Sequence, residues 1–173
     1  MNELIEKAKQ GCIESFEKLI LYYQQDLYRI AKIRLNTNDD ISDAIQNTII
    51  NIYKNLKKLK NNTYFKTWII KILINECNKI YKDNMKKNII IEKKALSTNQ
   101  EYFLEENKLY DFWSFNSIIS NLTKEEQLIF SLFYKDKYSC KEIAKILKLK
   151  ENTIKSKLDR GRKKLKNYIK EDM

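Results

Sequence analysis

Asn152, Lys155, Ser156 and Asp159 are spaced so that, on a helix, all four share one outward face. An amide, an ammonium, a hydroxyl and a carboxylate at that spacing suit hydrogen bonding to base edges and phosphates rather than bond-breaking chemistry. Lys157, Arg160, Arg162, Lys163 and Lys164 extend the positive charge along the same segment. The means of catalysis are sparse. The 173 residues include no His, and Cys12, Cys77 and Cys140 stand singly with no CxxC pair. A zinc site of the usual Cys/His kind and a disulfide framework are therefore not expected, nor is a Gly-rich phosphate cradle present in the sequence. We expect no catalytic residue, no metal and no cofactor.

A second polar set lies in the N-terminal half. Thr67, Lys71, Asn75, Asn78 and Lys82 are separated by 4, 4, 3 and 4 residues, which keeps them on one side of a helix. Asn61-Asn62-Thr63-Tyr64 stands immediately before it. Amides, hydroxyls and an aromatic ring beside lysines suit unstacked single-stranded bases held one at a time; a solvated polar face is the alternative. Trp68 shares this helix and lies with Phe65 and Ile72, so it serves either the core or the nucleic acid.

These side chains need a helical scaffold, and the apolar periodicity supplies one. With no Pro and two Gly, the chain lacks the turn residues of β-rich folds. A short helix is expected over residues 2–10, broken near Gly11. Phe16, Leu19, Ile20, Tyr23, Leu27, Ile30, Ala31 and Leu35 mark a long amphipathic helix. Asn36–Asp40 reads as a connector. Ile41, Ala44, Ile45, Thr48, Ile49, Ile52, Tyr53 and Leu56 mark a second face. Lys57–Thr63 is a loop, and Phe65, Trp68, Ile69, Ile72, Leu73 and Ile80 mark a third long helix ending near Asn84. Periodicity fades over 86–113. Thr123 with Glu126, and Ser139 with Glu142, have the capping-box spacing and predict helices running to Tyr134 and about Leu147. A turn at Lys148–Lys150 leads into a final helix from about Glu151, seated by Ile154, Leu158 and Leu165. Ile143, Ala144, Leu147 and Leu149 complete the packing of a helix-turn-helix. The expected fold is all-α: two small helical domains joined by a flexible linker, the C-terminal one a helix-turn-helix. Their limits are 1–88, with a linker over 89–113, and 114–173.

Charge follows the same division. The formal charge of +11 resolves into 16 basic and 10 acidic side chains over 1–88, 3 and 5 over 89–113, and 15 and 8 over 114–173. Two basic blocks around an acidic one favour a polyanionic partner with salt-sensitive affinity. No signal peptide or membrane span is legible, so a cytoplasmic location without membrane insertion is expected.

Four stretches, in order, resemble the extracytoplasmic-function (ECF, group 4) sigma factors of the sigma-70 family. Gly11–Leu19 (GCIESFEKL) looks like their "G-D-x-x-A-F-x-x-L". Asp40–Thr48 (DISDAIQNT) looks like "D-x-E-D-x-x-Q-x-x-F". Phe65–Asn75 (FKTWIIKILIN) looks like "F-x-x-W-L-x-R-I-A-x-N". The C-terminal block looks like "E-I-A-x-x-L" followed by "T-V-K-S-R-L-x-R-A-R-x-x-L". The likeness covers roughly 10–85 and 118–169. A clostridial subgroup that switches on toxin genes shares the Lys/Ile/Asn-rich style.

The resemblance implies an alternative sigma factor that binds core RNA polymerase and directs promoter-specific initiation. Asp40, Asp43, Gln46 and Asn47 would dock on the β′ clamp helices, and the C-terminal domain would seat on the β-flap. Asn61, Asn62, Thr63, Tyr64, Thr67, Trp68, Lys71, Asn75, Asn78 and Lys82 would open and read the −10 element. Asn152, Lys155, Ser156, Lys157, Asp159, Arg160 and Lys163 would read the −35 duplex. An anti-sigma protein is a further expected partner. The alternative is a helix-turn-helix activator that works without being a polymerase subunit. Three departures from the family pattern stand out: Ile41 and Ser42 at the clamp-binding helix, Lys148 where a Gly is usual, and Gly161 in place of Ala.

Overall fold

The computed structural model describes residues 1–92 and 110–171, and the side chains of 1–86 and 115–168. The expected linker over 89–113 falls largely on residues outside those described. Among the described residues the regular structure is helical.

α1 (Asn2–Lys9) ends before Gly11, whose φ of +99° lies where only glycine is at ease. α2 (Ile13–Arg34) buries Leu19, Tyr23, Leu27, Ile30 and Ala31, the expected stripe. α3 (Asn38–Asn55) starts earlier than the expected connector allows. Thr37 caps it by accepting a hydrogen bond from the Asp40 amide at 3.2 Å, so the helix takes in Asn38–Asp40. Tyr53, assigned to the inward face, is instead 60% exposed and stands edge-on to Phe16, with ring centres 5.2 Å apart.

Two 3-10 turns, Leu56–Lys58 and Asn62–Tyr64, lead into α4 (Phe65–Glu92), which runs well beyond Asn84. α4 buries Phe65, Ile69 and Leu73 on the expected stripe, but also Ile70, Ile74 and Cys77 around the helix. The physical reason is a second packing partner: α4 lies against α2 and α3 and also against α7 (Cys140–Leu147) of the C-terminal half. Burial pushes the Cys77 thiol up to about 12, which leaves it an inert core group.

In the C-terminal half, α5 (Tyr110–Ile119) precedes α6 (Lys124–Phe130). Both expected capping boxes form. Thr123 and Glu126 close α6, and Ser139 and Glu142 close α7. The first helix stops short of Tyr134, because Ser131–Lys135 widens into a π-helical turn. Lys137 then takes a left-handed φ of +59°. α8 (Glu151–Glu171) follows the helix-turn-helix turn and rests on Ile154 and Leu158, both buried. The limits at 88 and 113 both fall inside helices, α4 and α5.

Candidate nucleic-acid interface

The turn before α8 is built as its packing residues require. Lys148 adopts φ +57° and ψ +40°, and the Leu149 amide donates to the Ala144 carbonyl at 3.0 Å. A left-handed lysine costs about 1 kcal/mol, and the closed turn with partly buried Leu149 offsets it. Gly161 has a packing role rather than a hinge role. A Cβ there would lie 2.6 Å from Phe130 Cζ and closer still to Cε2, so its absence lets α8 approach α6.

α8 then turns its polar face outward. Asn152, Lys155, Ser156, Asp159, Arg160 and Lys163 are all exposed. Their bonds stay within the helix: Lys155 with Glu151 at 2.8 Å, Asp159 with Arg162 at 2.9 Å, and the Ser156 hydroxyl donating to the Asn152 carbonyl at 2.9 Å. Lys157 stands apart from this set. It pairs with Glu125 of α6 at 2.6 Å and is 21% exposed, so it ties α8 to its support. Lys164 does the same with Glu126, at 2.9 Å. Burial alone would raise the Glu126 carboxyl. Lys164 and the Thr123 cap outweigh burial and hold it below the ordinary carboxylate range.

The N-terminal set is differently situated. The Asn61 side chain accepts from the Thr63 amide at 2.9 Å. Asn62 is bonded to Glu6 and Lys9 of α1, both at 2.6 Å. Thr63 and Tyr64 are exposed, the latter by 58%. Along α4, Thr67, Trp68, Lys71, Asn75 and Asn78 are half-buried and Lys82 is exposed. Asn78 accepts a hydrogen bond from Arg34. Trp68 is tilted against Phe65 at 6.2 Å and packs on the core while lining a groove of about 960 Å³. Asn75, Asn78 and Lys82 line one side of that groove; Ile146, Leu147 and Lys148, at the end of α7, line the other. The α4 face thus looks across at the helix-turn-helix.

A charged cluster missed in the sequence holds the halves in this arrangement. Arg29 donates to Asp136 at 2.7 Å, to Asp26 at 2.9 Å, and to the Ser131 hydroxyl. Lys66 bridges Asp26 at 3.1 Å and Asp136 at 3.3 Å. The Asp136 side chain is only 2% exposed. Burial works against ionisation of Asp26, but Arg29 and Lys66 prevail and hold its carboxyl low. Beside them, Tyr138 is buried under Lys66, whose Nζ lies 5.7 Å from the ring centre. Burial first, then Asp136, raises its phenol. The only sequence signal was a pair of charges on otherwise packed segments, 107 residues apart.

Of the residues expected to dock on the β′ clamp helices, Asp43, Gln46 and Asn47 are exposed on α3, beside exposed Ile50. Asp40 is half-buried and accepts from Asn84 at 2.8 Å, linking α3 to α4. Among the described residues no group of three or more His, Cys, Asp or Glu could hold a metal, and no helix is long and apolar enough to cross a membrane.

A helix-turn-helix with an exposed polar and basic face, joined to a helical block bearing a second polar face, is the architecture of a two-part DNA-binding protein. The comparisons with known proteins narrow this. Residues 19–86 match the family Sigma-70 region 2, and residues 113–165 match Sigma-70, region 4. The chain is 22% identical to the ECF RNA polymerase sigma-E factor of Haemophilus influenzae, covering 96% of this chain and 93% of the relative. It is 23% identical to the ECF RNA polymerase sigma factor SigW of Bacillus subtilis, covering 96% and 95%. The fold is similar to RpoE in its complex with the anti-sigma factor NepR from Bartonella quintana, with a TM-score of 0.69 at 19% identity over 92% of this chain and 99% of that one. It is also similar to CnrH in complex with the cytosolic domain of CnrY, with a TM-score of 0.66 at 18% identity over 98% and 97%. The chain belongs to the ECF sigma factors of the sigma-70 family. It is an alternative sigma factor, which partners core RNA polymerase and promoter DNA in transcription initiation.

Proposed function

We propose that α8 reads the −35 duplex with Asn152, Lys155, Ser156, Arg160 and Lys163, and that the Asn61–Tyr64 turn with the Thr67-to-Lys82 face of α4 captures the −10 strand. The observation that carries this reading is the exposure of the α8 polar face while Ile154 and Leu158 seat the opposite face in the core. Asp43, Gln46 and Asn47, with Ile50 beside them, form the surface for the β′ clamp helices, and Asp40 supports that helix through Asn84. The protein works in the cytoplasm and has no catalytic activity of its own. Melting proceeds by capture of unstacked bases, which offsets the few kcal/mol of unstacking. Because the end of α7 faces the α4 groove, the two halves separate before both promoter elements are engaged. An anti-sigma protein acts by keeping them together.

Run-off transcription tests this reading. Core polymerase from a low-GC Gram-positive bacterium, with and without the protein, is given a promoter library. New transcripts sharing one −35/−10 pair are expected, with the −35 preference altered by Lys155→Ala and the −10 preference by Tyr64→Ala. Core-independent binding to a palindromic duplex with no new transcripts would instead favour an activator that is not a polymerase subunit.

A further inference from the structure

The turn that precedes α4 has two adjacent asparagines, and both side chains bond within the protein: Asn61 through its oxygen, Asn62 through oxygen and nitrogen alike. Asn61 folds back: its side chain accepts from the Thr63 amide at 2.9 Å, and its carbonyl accepts from the Tyr64 amide at 3.2 Å. Asn62 reaches the other way, to α1. Its Nδ2 donates to Glu6 Oε1 at 2.6 Å and to the Asn2 carbonyl at 3.5 Å, while its Oδ1 accepts from Lys9 Nζ at 2.6 Å. Lys9 also pairs with Glu6 at 3.2 Å, which closes a three-membered ring of contacts. Both amide hydrogens of Asn62 are used, and its oxygen holds a charged donor. The residues that follow are the opposite case: Thr63 is exposed, and so is most of the Tyr64 ring.

α1 can hold this turn because it is itself anchored. Ile5 is 1% exposed and Ala8 is buried, so the helix is seated on the core by its apolar edge and lies against both 3-10 turns. Glu6 and Lys9 project from the neighbouring edge, three residues apart and hence adjacent on the helix surface. The Lys9 side chain is only 15% exposed, which shields its bonds from water more than an ordinary surface pair. In keeping with this, the Glu6 carboxyl is held below the usual carboxylate range, by Asn62 first and Lys9 second.

We infer that Glu6 and Lys9 are positioning residues for −10 recognition: they lock the Asn62 amide, and Asn62 in turn fixes the 3-10 turn from which Thr63 and Tyr64 meet the DNA. Asn62 then acts by orientation and does not itself pair with a base. This rests on the reading of Asn61–Tyr64 as part of the −10 surface. Pre-setting the turn lowers the ordering cost of base capture, so its loss falls on the melting step and leaves −35 binding alone.

The test exchanges the partners. Asn62→Asp sets a second carboxylate against Glu6 and breaks the ring. The double variant Glu6→Gln/Asn62→Asp rebuilds it with donor and acceptor reversed, and Lys9 still has a carboxylate to bind. Each full-length variant is assayed with core polymerase for permanganate reactivity of −10 thymines and for association with a −35-only duplex, with Tyr64→Ala alongside. The expected result for Asn62→Asp is about a tenfold loss of open complex, the scale of one charged hydrogen bond. The double variant returns to within about threefold of the parent, and −35 association is unchanged throughout. Equal defects in the single and double variants would overturn the inference, because a base-contacting amide cannot be replaced by a carboxylate. So would a neutral Asn62→Asp beside a defective Tyr64→Ala. If Tyr64→Ala is also neutral, the turn does not read the −10 element at all, and the functional assignment falls with the inference. Matching thermal unfolding midpoints confirm that each variant is folded.

Discussion

The two surfaces proposed to face DNA differ in what their side chains do in the free chain. On α8 the polar groups bond only to neighbours three or four residues away on the same helix, as Lys155 does with Glu151 and Asp159 with Arg162. Such solvent-screened pairs contribute little. A phosphate or base edge can displace them at little cost. In the N-terminal half, Asn61, Asn62 and Asn78 are engaged in tertiary or turn-closing bonds, and the α4 face looks into a groove walled by the end of α7. One surface is presented whole; the other presents Thr63 and Tyr64 but turns Asn75 and Asn78 into the groove.

The largest expected effect comes from the cluster that joins the halves. Asp136→Ala leaves Arg29 and Lys66 sharing Asp26 within a largely buried contact, and uncompensated buried charge costs on the order of 3 kcal/mol. The radius of gyration from small-angle scattering should rise while helix content stays constant. An unchanged radius would mean that apolar packing against Ile70 and Ile74 alone holds the halves together.

Gly161→Ala addresses the presented surface. Ala gains about 1 kcal/mol in helix propensity over Gly. The overlap with Phe130 costs about 1–3 kcal/mol as overpacking, so the net change is destabilising. A fall in Tm of a few degrees is expected, at about 2–4 °C per kcal/mol for a chain of this size. A rise in Tm would show that Phe130 moves freely and that α8 is not seated by this contact.

The smallest effect is a pH dependence. Since the folded Glu126 carboxyl is held low, its stabilisation is fully present above the ordinary carboxylate range, near pH ~4.3, and is lost as pH falls through its lower folded value. Glu126→Gln should therefore cost about 1 kcal/mol at neutral pH, the scale of a helix cap. The gap to the parent in thermal unfolding should close in acid. A gap independent of pH would assign the effect to packing alone.

Much of this architecture was legible where the chemistry is local. Thr123 with Glu126 and Ser139 with Glu142 announce their helices because a cap needs only residues three apart. The α8 face followed from helical spacing alone. What stayed hidden depends on partners far away in the chain. Ile70 and Ile74 are buried by elements on more than one side of α4, and a single amphipathic stripe cannot announce that. Lys157 sits among exposed cations in sequence but finds Glu125, 32 residues earlier. The role of Asn62 depends on α1, 56 residues from Glu6, so spacing around Asn62 itself carries no trace of it. The π-helical turn at Ser131–Lys135, which leads into Asp136, has no simple sequence signature.

Asp136 has one more effect, and it appears only when it leaves. While the halves touch, the two cations Arg29 and Lys66 are matched by two carboxylates, Asp26 and Asp136. On the proposed separation Asp136 would travel with the C-terminal half, and one positive charge beside the start of α4 would lose its match. The carboxylate thus behaves as a tethered counterion, dismissed by opening and replaceable by a phosphate of the melted strand. The separated form should accordingly bind single-stranded promoter DNA with a log–log salt slope steeper by about 0.7, the increment for one additional phosphate on a single strand.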